Sequence, residues 1–180
     1  MSTVTAALQP AEDSVSLDSI VPGEVGEVSA MAARIWPSAY GAILPAAQID
    51  YMLRWMYAPE KLRADLAAGV AMWWIRHEGQ GGRIGFLAAG PADAGGLCPL
   101  HKCYLLPQAQ RRGFGSAAIA RMFVLLVRDG ARLVELRVNR HNIPAIAFYR
   151  KNGFFIHAED CHPIGGGFEM DDYLMRRALE

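Results

Sequence analysis

Residues 107 to 120, PQAQRRGFGSAAIA, set two arginines against a Gly-x-Gly step and run straight into an alanine-rich helical stretch. A turn of this kind suits an anion, because the first N–H groups of a helix lack intrahelical partners and the helix dipole favours negative charge there. Gly113 and Gly115 keep Cβ atoms out of the way of a ligand, and the guanidinium groups of Arg111 and Arg112 match phosphate oxygens. The plain alternative is a tight turn with solvated arginines. A P-loop is excluded, since no Gly-Lys-Ser/Thr follows to reach a terminal phosphate and magnesium. GFGSAA does satisfy the GxGxxA dinucleotide pattern, with Glu135 about 20 residues further on. Against that reading, Gln108 to Arg112 separate the glycine from its strand, Glu135 sits mid-strand, and too little chain remains for two mononucleotide halves.

Other residues could move protons. Asn142 precedes Ile143-Pro144, a good helix start in its own right, and Tyr149 lies two turns on, on the same side of that helix. A phenol with an ordinary pKa of about 10 can donate a proton to a group held close to it; the alternative is simple packing. Glu135 and Arg137 alternate with Val134, Leu136 and Val138, so Glu135 reads as a candidate base or as the partner of an arginine. Glu169, Asp171 and Asp172 on the last strand read by themselves as solvated edge charges. His157, Cys161 and His162 lack a fourth ligand at regular spacing, and no metal is expected. Cys103, mid-strand without a His-carboxylate partner, reads as a small buried hydrophobe rather than a nucleophile.

These residues need a frame. Val25, Val28, Met31, Ala32 and Ile35 form the stripe of an amphipathic helix, as do Ile49, Met52, Leu53 and Met56 after Pro45; a third run carries Leu62 and Leu66 after Pro59. VAMWWIRH and RIGFLAAG, separated by EGQGG, predict a hairpin, and LHKCYLLP a strand stopped by Pro107. Trp73 and Trp74 point to opposite faces, so one is expected in the core and the other against a helix or a partner subunit. Ser116 to Arg128 predicts a helix with Ile119, Met122, Phe123, Leu126 and Val127 inward, then come the strand RLVELRV, a helix from Asn142 to Asn152, and strands FFIHAE and FEMDDYLM around a loop DCHPIGGG. The chain has 180 residues and no net charge, enough for one core and no pointer to nucleic acid or a membrane surface. Three cysteines without a CxxC pair suit a reducing cytoplasm, and the N-terminus reads as a loose tail, neither signal peptide nor membrane span.

LHKCYLLPQAQRRGFGSAAIARM followed by LRVNRHNIPAIAFYRKNGFF resembles the GNAT superfamily of acyl-CoA-dependent N-acetyltransferases. Gln110, Gly113 and Gly115 fill its Q/RxxGxG/A pattern, and Asn142, Ala145, Phe148, Tyr149, Gly153 and Phe154 fill NxxAxxFYxxxGF. The N-terminal half and the ending GGGFEMDDYLMRRAL are loosely similar to the branch containing polyamine and other small-amine acetyltransferases. The resemblance implies an α/β (α+β) fold, with residues 1–15 as tail and 16–180 as a single domain. Its mixed sheet of about six to seven strands would splay at the cofactor site and carry helices on both faces. It implies acetyl-CoA as cosubstrate, main-chain contacts to pantetheine from Tyr104, Leu105 and Leu106, and a pyrophosphate cradle from Gln110, Arg111, Arg112, Gly113, Phe114, Gly115 and Ser116. Asn142 and Tyr149 would face the splay, with Tyr149 as general acid and Phe148 in the core. Tyr51, Trp55 and Tyr57 fall where the family builds its acceptor pocket. The expected reaction is direct acetyl transfer to a primary amine, small or polyamine-like, in a ternary complex; a homodimer is left open. The alternative is a CoA-binding regulatory module that has lost transfer.

Overall fold

The computed structural model describes residues 15–179. In chain order they form β1 (Val15–Ser19), α1 (Val25–Tyr40), α2 (Ala46–Met56), α3 (Pro59–Ala67), β2 (Ala71–His77), β3 (Gly82–Ala89), β4 (Leu97–Leu105), α4 (Phe114–Arg128), β5 (Leu133–Asn139), α5 (Ile143–Lys151), β6 (Phe155–Gly165) and β7 (Phe168–Ala178). The strands make one sheet of order β1-β2-β3-β4-β5-β7-β6, antiparallel except for the β4/β5 pair. Helices α1 to α3 cover one face over Met72, Trp74 and Phe86. On the other, α4 packs on Ile75, Leu87, Val134 and Leu136.

Several elements differ from the sequence-based expectation. Val15, assigned to the tail, is buried at the start of β1, whereas residues 1–14 of that tail lie outside the described residues. Both tryptophans are core, Trp73 under α4 and Trp74 under α1, because the two faces of this sheet are covered equally. Val127 is exposed rather than inward. Residues 160–165, expected in a loop, belong to β6; the turn is confined to Gly166 and Gly167, whose φ of 64° and 80° fit a two-residue turn between Gly165 and Phe168. Pro163 is tolerated because β6 is the sheet edge.

The sheet opens at its centre. β4 and β5 pair only from Leu97↔Leu133 to Leu100↔Leu136, although β4 runs on to Leu105 and β5 to Asn139. Two features hold the gap. β5 stays paired to β7 as far as Asn139↔Asp172, and β4 carries a bulge, since its register on β3 steps from Ala88↔Lys102 to Ala89↔Leu100 with His101 extra. A bulge bends its strand and increases its twist. It also turns the alternation over: Cys98 and Leu100 face α4, and so do Cys103 and Leu105, while Lys102 and Tyr104 face α1 to α3.

Candidate active site

Beyond β4 the chain makes a short turn over Pro107–Ala109 and enters α4. Gln110 donates its amide to Leu105 O (3.0 Å), which folds the loop back on the strand. Arg111 takes a left-handed φ of 60°, costly for a residue with a Cβ, and Gly113 follows with φ 84° as the N-cap of α4. No side chain caps this helix, so the N–H groups of Phe114, Gly115 and Ser116 have no partner inside it. The Phe114 side chain is buried. Gly115 has a packing reason as well as a ligand-facing one: a Cβ there would sit 3.0 Å from the Phe148 ring. Arg112 Nη1 donates to Gln80 Oε1 (2.6 Å), and its guanidinium lies over the Phe114 ring, tying the loop to the turn between β2 and β3.

The backbone hydrogen bonds of β4 divide the three residues expected along the pantetheine. Leu106 N–H donates to Ile84 O (2.8 Å) and Leu106 O accepts from Ala109 N–H (2.9 Å), so both of its main-chain groups are spent. In an antiparallel ladder bonded and non-bonded pairs alternate, so Tyr104, two residues back, also points its main chain at β3. The open edge belongs to Leu105 and to Cys103, which sequence reasoning missed because the pairing partner of Leu106 cannot be read from the motif.

Groups from both faces converge on the gap. Asn142 caps α5, accepting from Ala145 N–H (3.2 Å), and its side chain also contacts the Tyr40 hydroxyl. Tyr40 and Tyr104 share a hydrogen bond between their hydroxyls (3.0 Å). Tyr149 comes from the other face, half-buried between Phe148 and Phe154, with its hydroxyl against the Cys103 thiol. Desolvation, then the neighbouring Cys103 and Tyr40, hold the Tyr149 hydroxyl well above its ordinary pKa. Burial pushes the Cys103 thiol up to about 12, so it stays protonated and is no nucleophile at neutral pH. Phe148 is half-buried, packed on the core's margin rather than inside it.

On the α1–α3 face the gap continues into a cavity of about 350 Å³ lined by Trp36, Tyr40, Trp55, Lys102, Glu135 and Asp172 among others. Gln48 Nε2 donates to Glu169 O (2.8 Å) and Tyr51 Oη to Ile164 O (2.7 Å), so α2 is pinned to the β6/β7 ribbon that closes one side. Glu135 lines the cavity but is held by Arg176 Nε (2.7 Å), the partner role rather than that of a free base. Asp172 is buried, and desolvation raises its carboxyl above the ordinary value despite Arg137 and His162 nearby. Asp171 lies on the opposite face, bound by Arg140 Nε (2.7 Å). Glu169 lines the cavity, Tyr57 is buried beneath it, and His162 pairs with Asp160 (3.1 Å) while Cys161 is exposed on the other side of the ribbon.

The same architecture recurs in solved acetyltransferases. The PaiA N-acetyltransferase of Thermoplasma acidophilum in complex with coenzyme A matches with a TM-score of 0.78 at 20% identity, over 92% of this chain and 99% of that one. A spermidine N-acetyltransferase chimera from Vibrio cholerae and hSSAT matches at 0.67 with 14% identity, over 92% and 96%. The fold is therefore that of an acetyltransferase domain. Residues 32–154 match the Acetyltransferase (GNAT) family. Over 164 residues the chain is also 31% identical to an uncharacterized N-acetyltransferase of Mycobacterium tuberculosis, spanning 87% of this chain and 98% of the relative. The chain belongs to the GNAT family and is an N-acetyltransferase.

Proposed function

We propose that the protein transfers an acetyl group from acetyl-CoA to a small primary amine by direct attack in a ternary complex. The observation that carries this reading is the gap itself, with an uncapped helix start at one end, an open strand edge along it, and a half-buried tyrosine hydroxyl beneath it. Acetyl-CoA supplies an activated thioester. The N–H groups of Phe114, Gly115 and Ser116 fit its pyrophosphate without a metal, and Leu105 and Cys103 offer main-chain groups to pantetheine. The amine enters through the cavity, and Asp172 or water bound to it takes the ammonium proton; its raised pKa brings this carboxyl closer to the operating range of a base. Amine nitrogen bonds to the acetyl carbon, the C–S bond breaks, the thiolate takes the proton of Tyr149, and the proton that the nitrogen sheds as it becomes an amide returns to the Tyr149 phenolate. Because its pKa is raised, Tyr149 holds that proton at neutral pH and through the alkaline range.

The test is a thermal-shift titration with acetyl-CoA and NAD(H), followed by thiol release with a panel of amines. Stabilisation by acetyl-CoA and amine-dependent thiol release are expected. Stabilisation by NAD(H) alone would sink the reading, and stabilisation by acetyl-CoA without turnover of any amine would leave a CoA-binding module.

A further inference from the structure

Among the described residues, a buried ammonium on the cavity wall has no ion-pair partner. Lys102 is only 6% exposed and lines the cavity, yet among the described residues its ammonium has no ion pair or hydrogen bond, only the Tyr57 ring at 5.0 Å. The carboxylate whose charge reaches it, Asp65, is bound to Lys61 one helical turn away on α3. Beside it Trp36 also lines the cavity, with its buried indole Nε1 turned to the Tyr57 hydroxyl. Buried ammonium groups are ordinarily paired, so an unpaired one on the wall of a cavity marks a place for an anion.

We infer that the acceptor carries a carboxylate, held by Lys102 beneath α1 and α3, while its amine lies toward the gap. This rests on the cavity being the acceptor site. A carboxylate fits better than a phosphate, because a single ammonium balances a monoanion but not a dianion, and the guanidinium lining the cavity, Arg137, is engaged by Asp160. The opposite wall supplies Asp172 on β7, across the gap from β4. The cavity is thus bipolar, cationic at Lys102 and anionic at Asp172, which suits an acceptor carrying both charges. The bulge at His101 makes this possible, since an unbroken alternation from Leu100 would send residue 102 to the α4 face.

The experiment uses matched probes. 4-Aminobutyrate and 6-aminohexanoate are compared with their carboxamides in thiol release, and hexanoate with hexanamide in calorimetric titration of the CoA-loaded protein. The acids should be preferred about tenfold or more in both assays, and Lys102→Met and Lys102→Gln should each collapse that ratio toward one. Equal binding of hexanoate and hexanamide, binding of neither, or a preference that survives both substitutions overturns the inference. Failure of the protein to bind acetyl-CoA overturns the proposed function instead and is read separately, in the thermal shift.

Discussion

At the scale of single residues, the site depends on groups whose protonation burial has moved. Tyr149→Phe removes the proton donor while keeping the ring between Phe148 and Phe154, so kcat should fall about 100-fold or more with little change in stabilisation by acetyl-CoA. Stopped-flow thiol release reads the first quantity and thermal shift the second; full kcat at neutral pH would remove Tyr149 from the mechanism. Lys102 makes a prediction about stability. Desolvation lowers its pKa from the ordinary 10.5 to about 8, Lys61 adding to the shift and Asp65 opposing it, with His101 and Tyr57 its other titratable neighbours. The folded chain loses this proton near pH 8 and the unfolded chain near 10.5, so across that window the unfolded state holds more protons and stability rises with pH. Relative to Lys102→Met, the wild type should recover on the order of 3 kcal/mol between those limits, measured by urea denaturation at each pH. A parallel pH dependence in the two proteins would contradict the burial of an unpaired ammonium.

At the scale of elements, the beginnings of α4 and α5 are built in opposite ways. α4 has no side-chain cap, whereas α5 is capped by Asn142. Replacing Asn142 by Ala should cost about 1 kcal/mol and lower Tm by about 2–4 °C. Asn142→Asp keeps an acceptor for Ala145 N–H but places a carboxylate against the Tyr40 hydroxyl, so stability should hold while KM for acetyl-CoA changes. Unchanged kinetics in Asn142→Asp would reduce Asn142 to a cap. The elements themselves were largely legible from periodicity: the stripes of α1, α2 and α4 and the β2/β3 hairpin follow from local patterns. The β6/β7 ribbon was less so, because Pro163 and the three glycines read as a loop until an edge position and a two-residue turn accommodate them.

At the scale of the whole molecule, the gap between β4 and β5 leaves the centre of the sheet without its usual ladder beyond Leu100 and Leu136. A cosubstrate lying there would bond to the folded state alone. At a concentration 100 times its Kd, acetyl-CoA should add about 2.7 kcal/mol. For a chain of this size that is a rise in Tm of about 5–10 °C, measurable by differential scanning fluorimetry. The α1–α3 layer closes the other side, and the Gln48 and Tyr51 bonds to the β6/β7 ribbon make the cavity wall a joint product of the first and last parts of the chain.

The amino-acid sequence by itself determined the glycine-rich loop that opens α4, the capped helix that carries Tyr149, and the family to which both motifs point. Each of these is a short-range pattern, in which turn chemistry and helical spacing act over a few residues. Only the tertiary structure decided which backbone edge stays open, that Glu135 belongs to Arg176, and that Asp171 and Asp172 part to opposite faces. It also decided that Lys102 faces the cavity beneath α1 to α3. That outcome turns on one extra residue in β4, and a bulge is a property of strand pairing, which a single strand's sequence does not carry.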